Sequence, residues 1–162
     1  MTKSTHTIDL LNTLIKTNID RVKGYDRTAQ DIHNFYSLKS VFYNLAEESM
    51  RFKDALTAEV NRLGGVPATE STTGGDLFRM WMQVKSSLTD DQLLAVLQSV
   101  EFGENVALKI YKRVLRKIDY SAATIQLIQA QVESLHASRN LIKRNCDEVF
   151  AKENEMPEAA FS

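Results

Sequence analysis

Glycine and proline are scarce in this 162-residue chain, six and two, and five of those eight fall between Gly64 and Gly75. These residues are the strongest local breakers of regular structure, so their concentration leaves a long uninterrupted stretch on either side. In both stretches apolar residues recur at helical spacing and nowhere alternate as a strand requires. Leu10, Leu11, Leu14, Tyr25, Ala29 and Ile32 predict helix one over about 7 to 33, with Thr5 or Thr7 as N-cap. After a turn around His33 to Ser37, helix two is expected from its Ser37 cap to about Leu63, along Leu38, Val41, Leu45, Phe52, Leu56 and Leu63. Gly64-Gly65, followed by Pro67, ends it.

A crossover from 64 to 88 comes next. Its first half, Ala68 to Gly75, is small and polar. In its second half Asp76 can cap a short extra helix of Leu77, Phe78, Met80, Trp81 and Val84. That segment has more apolar surface than its length needs, which predicts a plug for one end of the molecule, or else a surface that meets a partner. Helix three opens on the capping box Thr89-Asp90-Asp91-Gln92 and reaches about Ile118. Helix four, capped by Ser121, runs to about Phe150 along Ile125, Ile128, Val132, Leu135, Ile142, Cys146 and Phe150. The expected architecture is all-α: one domain over 1–152, a four-helix bundle with a long crossover and a short extra helix between helices two and three, and a flexible tail over 153–162.

One acid breaks the apolar pattern. Leu93, Leu97, Val100, Ala107, Leu108, Tyr111, Leu115 and Ile118 share a stripe on helix three, and Glu104 lies near its centre line. A lone buried carboxylate costs several kcal/mol, so another helix must bring a cation, a metal or several donors. Antiparallel helices leave a short loop at the same level, and residue counts therefore estimate depth. Arg21 lies 13 residues before Asn34 and Glu48 lies 14 after; Glu104 and His136 lie 16 on either side of Tyr120, and Glu101 and Arg139 lie 19 on either side. Arg139 reads as nearly centred on helix four's stripe, with His136 and Glu101 on the flanks, and all six positions fall near mid-bundle. Asn18, Tyr25 and Tyr111 also face inward, the tyrosines as core residues whose hydroxyls bond a carboxylate.

Bulk charge narrows the function classes. Acids and bases nearly cancel, 21 against 20, and the net charge of -1 predicts neither a nucleic-acid nor a membrane partner. The densest basic run, Lys109, Lys112, Arg113, Arg116 and Lys117, reads as a solvated face near a helix C-terminus. A single cysteine, Cys146, falls on an apolar face and allows no internal disulfide. The first residues lack an apolar signal core, and no run approaches the roughly 20 apolar residues of a membrane span, so a cytoplasmic protein is expected. His6 and His33 read as surface residues at element ends, and neither a nucleophile elbow nor a glycine-rich phosphate loop is present.

The sequence resembles the ferritin-like superfamily. Ala46-Glu47-Glu48-Ser49-Met50-Arg51-Phe52, Gly103-Glu104 through Tyr111, and Glu133-Ser134-Leu135-His136 are similar to rubrerythrin-type helices. Over about 5 to 150 the chain resembles a bacterial ferritin-like four-helix-bundle family of unknown function, through Gly24-Tyr25, Gly64-Gly65-Val66-Pro67, Trp81, Glu101-Phe102-Gly103-Glu104, His136 and Arg139. The resemblance implies the fold, and with it a two-metal centre built from carboxylates and Glu-x-x-His pairs. The match to that centre is partial. Arg51 stands where helix two would need histidine, helix one offers Asn18 and Arg21 with no inward carboxylate, and Glu133 falls off helix four's stripe.

Two readings follow. In the first, the protein is non-enzymatic and has a structural, interaction or stress-related role. Arg21 and Arg139 then neutralise Glu48, Glu101 and Glu104, with His136 as a hydrogen-bond partner, and the chain forms a homo-oligomer, a dimer through a helix face or the Trp81 segment, or meets a protein partner. In the second, Glu48, Glu104 and His136, supported by Glu101, hold iron or manganese for oxidase or storage chemistry.

Overall fold

The structure is a computed structural model that describes residues 2–32, 36–71, 76–87 and 92–155, without the side chains of 36, 37, 76, 83–87, 92, 149, 150 and 152–155. Five helices follow one another: α1 (Lys3–Asp31), α2 (Tyr36–Arg62), α3 (Asp76–Ser87), α4 (Gln92–Lys117) and α5 (Ala122–Glu155). Helices one to four of the sequence reading are α1, α2, α4 and α5, and α3 is the extra helix of the crossover. α1 pairs with α2 and α4 with α5, α1 also meets α4, and α2 and α5 touch at few points.

The helix ends explain where the expected bounds shift. α1 starts four residues before the predicted 7, because the Thr2 side chain, not Thr5 or Thr7, is the cap and accepts from the Thr5 amide at 3.1 Å. α2 closes in a Schellman turn, with Gly65 N–H donating to Val60 O, Gly64 N–H donating to Asn61 O, and Gly64 at φ 79. Ser121 caps α5, accepting from the Thr124 amide at 3.4 Å. α5 ends at Glu155, five residues past the predicted Phe150 and three into the predicted tail. α2 begins at Tyr36, one residue before the expected Ser37 cap. His33, Thr89 to Asp91, tail residues 156–162 and the side chains of Ser37, Asp76, Val84 and Phe150 lie outside the described parts.

The start of the crossover is clamped to α1. Asn12 donates from Nδ2 to Val66 O at 3.1 Å, and its Oδ1 accepts from the Ala68 amide at 2.8 Å, so one side chain satisfies two backbone groups of an otherwise unpaired strand of chain. The short α3 is not an end plug. Trp81, fully buried, lies between α1 and α4, where Gly24 and Gly103 leave room for its indole. A Cβ on Gly24 would come within 2.7 Å of the ring, and one on Gly103 would overlap it. The Tyr25 ring meets the same indole edge-on, centroids 5.2 Å apart. The apolar excess of this helix is thus spent inside the chain, on a wedge along the α1–α4 groove.

Two apolar clusters make the core. One gathers Tyr25, Phe42, Leu45, Trp81, Leu97, Val100 and Ile142; the other gathers Leu11, Leu14, Leu56, Leu108, Val114, Ile128 and Leu135. Between them, in sequence on every long helix, lie the polar residues described below. Gly103→Ala should cost about 1–3 kcal/mol by overpacking the indole slot. Trp81 is the sole tryptophan, so its emission should shift to the red in that variant while melting falls; an unchanged spectrum and melting temperature would show that the slot is not tight.

Candidate functional site

Arg21 on α1 and Glu104 on α4 meet in the middle of the bundle, both with 0% side-chain exposure. The pair is bidentate: Nε donates to Oε1 at 3.0 Å and Nη2 donates to Oε2 at 3.2 Å. Burial by itself would lower the guanidinium's pKa, but the Glu104 charge and hydrogen bond outweigh it and the net shift is upward. Tyr25 and Phe52 lie on Arg21, their ring centroids 5.7 and 5.9 Å from Cζ. The third guanidinium nitrogen, Nη1, donates to Asn18 Oδ1 at 3.0 Å.

From Asn18 the polar chain continues across the bundle. Its Nδ2 donates to Leu14 O at 2.9 Å and to the Tyr111 hydroxyl at 2.7 Å. Tyr111 donates to Gln131 Oε1 at 2.7 Å, and Gln131 Nε2 donates to Phe52 O at 3.3 Å. One connected path therefore runs through α1, α4, α5 and α2, and each long helix contributes at least one group. Tyr111 is held well above the ordinary phenol range, mainly by burial, so it stays a neutral donor. Tyr25 is fully buried beside the ion pair, but its hydroxyl meets no partner in hydrogen-bonding geometry among the described residues. Burial and then the Glu104 charge push its pKa well up.

Glu48 on α2 is half-buried at the edge of this layer. Its Oε1 accepts from the Ser138 hydroxyl at 3.3 Å. Burial raises its pKa, the Arg21 charge opposes that rise, and the Glu104 charge adds to it. Glu101 is half-buried one turn before Glu104 on α4; after burial itself, its charge helps push the Cys146 thiol up to about 12. Arg139 donates from Nε to Asn105 Oδ1 at 2.5 Å, and His136 lines a surface groove with Arg139, Asn105, Leu108, Lys109 and Lys112. Glu133 is exposed. Of the six residues picked from the sequence, Arg21, Glu104 and Glu48 gather at mid-bundle, whereas Glu101, His136 and Arg139 stay on the α4–α5 side.

Those last placements have one cause. The inward face of α5 is formed by Thr124, Ile128, Gln131, Leu135, Ser138 and Ile142, all buried, at alternating spacings of four and three. Reading apolar residues alone puts Val132 in the stripe and turns its centre toward Arg139. Gln131 and Ser138 escape that reading because they are polar, yet both fall at heptad positions between Ile128 and Ile142, a signal visible in the sequence. With Thr124 they make a column that meets α2 three times: Thr124 Oγ1 donates to Glu59 Oε1 at 2.7 Å, Gln131 to Phe52 O, and Ser138 to Glu48.

The donor set does not fit a two-metal centre. Both oxygens of Glu104 are engaged by Arg21, whose positive charge stands 3.0 Å away where a metal would have to sit. His136, the one imidazole near this level, faces a groove shared with two lysines and an arginine. Among the described residues no three His, Cys, Asp or Glu side chains are arranged to hold a metal ion.

Comparison with solved structures defines the class as a ferritin-like helical bundle. A mutant of Mycobacterium smegmatis Dps1 matches with TM-score 0.76 and 18% identity over 89% of this chain and 97% of that one. A dodecameric bacterioferritin-related thioferritin from Bacteroides fragilis matches with TM-score 0.73 and 16% identity over 95% and 92%. A ferritin-like diiron-carboxylate protein from Bacillus anthracis matches with TM-score 0.69 and 15% identity over 90% and 99%. The chain belongs to the family described as a domain of unknown function, DUF2383, whose model matches residues 6–117. No curated protein matches the chain.

Two outcomes follow from the layer. Arg21→Ala leaves Glu104 buried and uncompensated and should cost about 3–5 kcal/mol by denaturant melts, whereas Arg21→Met combined with Glu104→Leu should recover most of that loss. Glu48 has a raised folded pKa, so its stabilising contribution is present below the unfolded value of 4.5 and is lost as pH rises through the folded value. Glu48→Gln should therefore be more stable than the parent at pH 7, with the two melting temperatures converging below about pH 4.5; a constant gap across that range would contradict the assignment.

Proposed function

We propose that this protein is a non-enzymatic ferritin-like bundle with a structural, interaction or stress-related role, in which a protein-made ionic layer stands where ferritin-like relatives assemble metals. The reading takes the chain as one domain over about residues 1–152. The observation that carries it is the bidentate Arg21–Glu104 pair, which supplies the countercharge Glu104 needs and engages both of its oxygens. Glu48 completes the layer at its α2 edge, with Glu101, His136 and Arg139 at its α4–α5 flank. A cytoplasmic setting fits a chain with one buried cysteine and, among the described residues, no helix long and apolar enough to cross a membrane.

Self-association belongs to the same reading. Val66 and Met50 are exposed, 84% and 42%, and both line a groove of ≈ 720 Å³ between α1, α2 and the start of the crossover, together with Ile19, Val22 and Pro67. A partly apolar surface of that kind, shared with Lys23, Lys53 and Asp54, is what a second copy would cover. The Bacteroides fragilis thioferritin with the same fold is a dodecamer. A dimer through this helix face, or through the α3 surface that presents Met80, is the smallest such assembly.

The rival is an iron- or manganese-binding protein that uses Glu48, Glu104, His136 and Glu101. Elemental analysis after anaerobic loading with ferrous iron, and separately with manganese, decides between them. The ionic-layer reading expects well under one metal per chain and unchanged melting; about two per chain would overturn it. Sedimentation velocity on the same samples should give a species larger than the 18.4 kDa monomer, and a monomer at micromolar concentration would remove the oligomer from the proposal.

A further inference from the structure

The groove between α4 and α5 has a chemistry the ionic layer does not use. It encloses ≈ 400 Å³ and is lined by Asn105, Leu108, Lys109, Lys112, His136 and Arg139. Three permanent cations and an imidazole thus converge from two helices, and none of the lining residues is acidic. Among the described residues Lys109, Lys112, His136 and Arg139 form no ion pair at all. Lys109 and Lys112 are one turn apart on α4, an arrangement that repels and lowers helix stability unless a counter-ion covers it. Arg139 is also oriented: its Nε donates to Asn105 Oδ1 at 2.5 Å, which fixes the guanidinium plane while Nη1 and Nη2 have no partner among the described residues. A fixed fork beside two flexible ammonium groups suits an anion with several oxygens on linked centres.

We propose that this groove binds a short oligophosphate chain, a di- or triphosphate, through Lys109, Lys112, Arg139 and His136. The lining contains no Phe, Tyr or Trp, and with His136 and Arg139 turned to the phosphates no further flat group is left for a nucleobase to stack on. Inorganic triphosphate and the triphosphate of a nucleotide share that chemistry, and the groove does not favour the nucleotide. Of the five cations in the basic run of α4, two line this groove; Arg113, Arg116 and Lys117 are exposed outside it.

The test is isothermal titration of the full chain with inorganic triphosphate in magnesium-free buffer at constant ionic strength, paired with thermal melts. One saturating site per chain below millimolar concentration and a rise in melting temperature are expected, since a ligand that binds only the folded state stabilises it by mass action. Lys109→Gln with Lys112→Gln changes exposed side chains only and should weaken binding about tenfold or more. Arg139→Gln should do the same, and Arg113→Gln with Arg116→Gln should leave affinity unchanged. Adenosine triphosphate should bind as tightly as inorganic triphosphate. The proposal is overturned if no saturable binding occurs, if the Arg113 and Arg116 variant loses as much affinity as the groove variant, if adenosine triphosphate binds about tenfold tighter than the inorganic chain, or if duplex DNA binds and triphosphate fails to displace it.

Discussion

The bundle depends on how the charge of Glu104 is met. Removing a carboxylate from water without a partner costs several kcal/mol, comparable with a large share of the net stability of a domain this size. Arg21 meets that cost with two parallel N–H to O bonds and stays positively charged while fully buried. Such pairs contribute little net stability compared with apolar residues of the same volume, but they are strict about geometry. Leucine stripes tolerate a sliding of one helix past another far better than a fork docked on a carboxylate does. The pair therefore acts on register: α1 and α4 have one alignment in which neither charge is stranded, and the Asn18–Tyr111–Gln131 path extends that requirement to α5 and α2.

Around this layer the packing is uneven, in a way that follows from residue size. On the α1–α4 side, Gly24 and Gly103 remove two side chains, and Trp81 of α3 fills the space they leave. On the opposite side α2 and α5 pack only loosely and are bridged by polar side chains at Thr124, Gln131 and Ser138. One seam is thus closed by a large apolar wedge and the other by a hydrogen-bonded column. Glu48 sits in the second seam, half-buried between solvent and the ion pair, which explains why its pKa is raised despite a nearby arginine.

The likeness to ferritin-like structures at 15 to 18% identity establishes the fold and leaves the chemistry to the residues themselves. At mid-bundle level those residues meet the charge of Glu104 with the Arg21 guanidinium. The Trp81 wedge of the crossover depends on two glycines of this chain, Gly24 and Gly103.

The helices, their order and the long crossover were legible in the sequence, because helical periodicity and the clustering of glycine and proline are local signals that tertiary contacts rarely override. So was the conflict at Glu104, since an acid on an apolar stripe demands a partner wherever the stripe is buried. Counting residues from the loops brought Arg21 and Glu48 to the right depth but could not fix rotation about the helix axis. The error is visible on α5, where polar Thr124, Gln131 and Ser138 turned the inward face away from Arg139 and His136. By itself the sequence determined that long amphipathic helices would pack and that one buried acid had to be neutralised. Only the tertiary structure decided that Arg21 neutralises it, that Arg139 and His136 face a groove with Lys109 and Lys112, and that Trp81 lies along the bundle and not at its end. The physical reason is that periodicity reports which residues avoid water, whereas the choice among several nearby partners is made by the rotation and separation of helices distant in the chain.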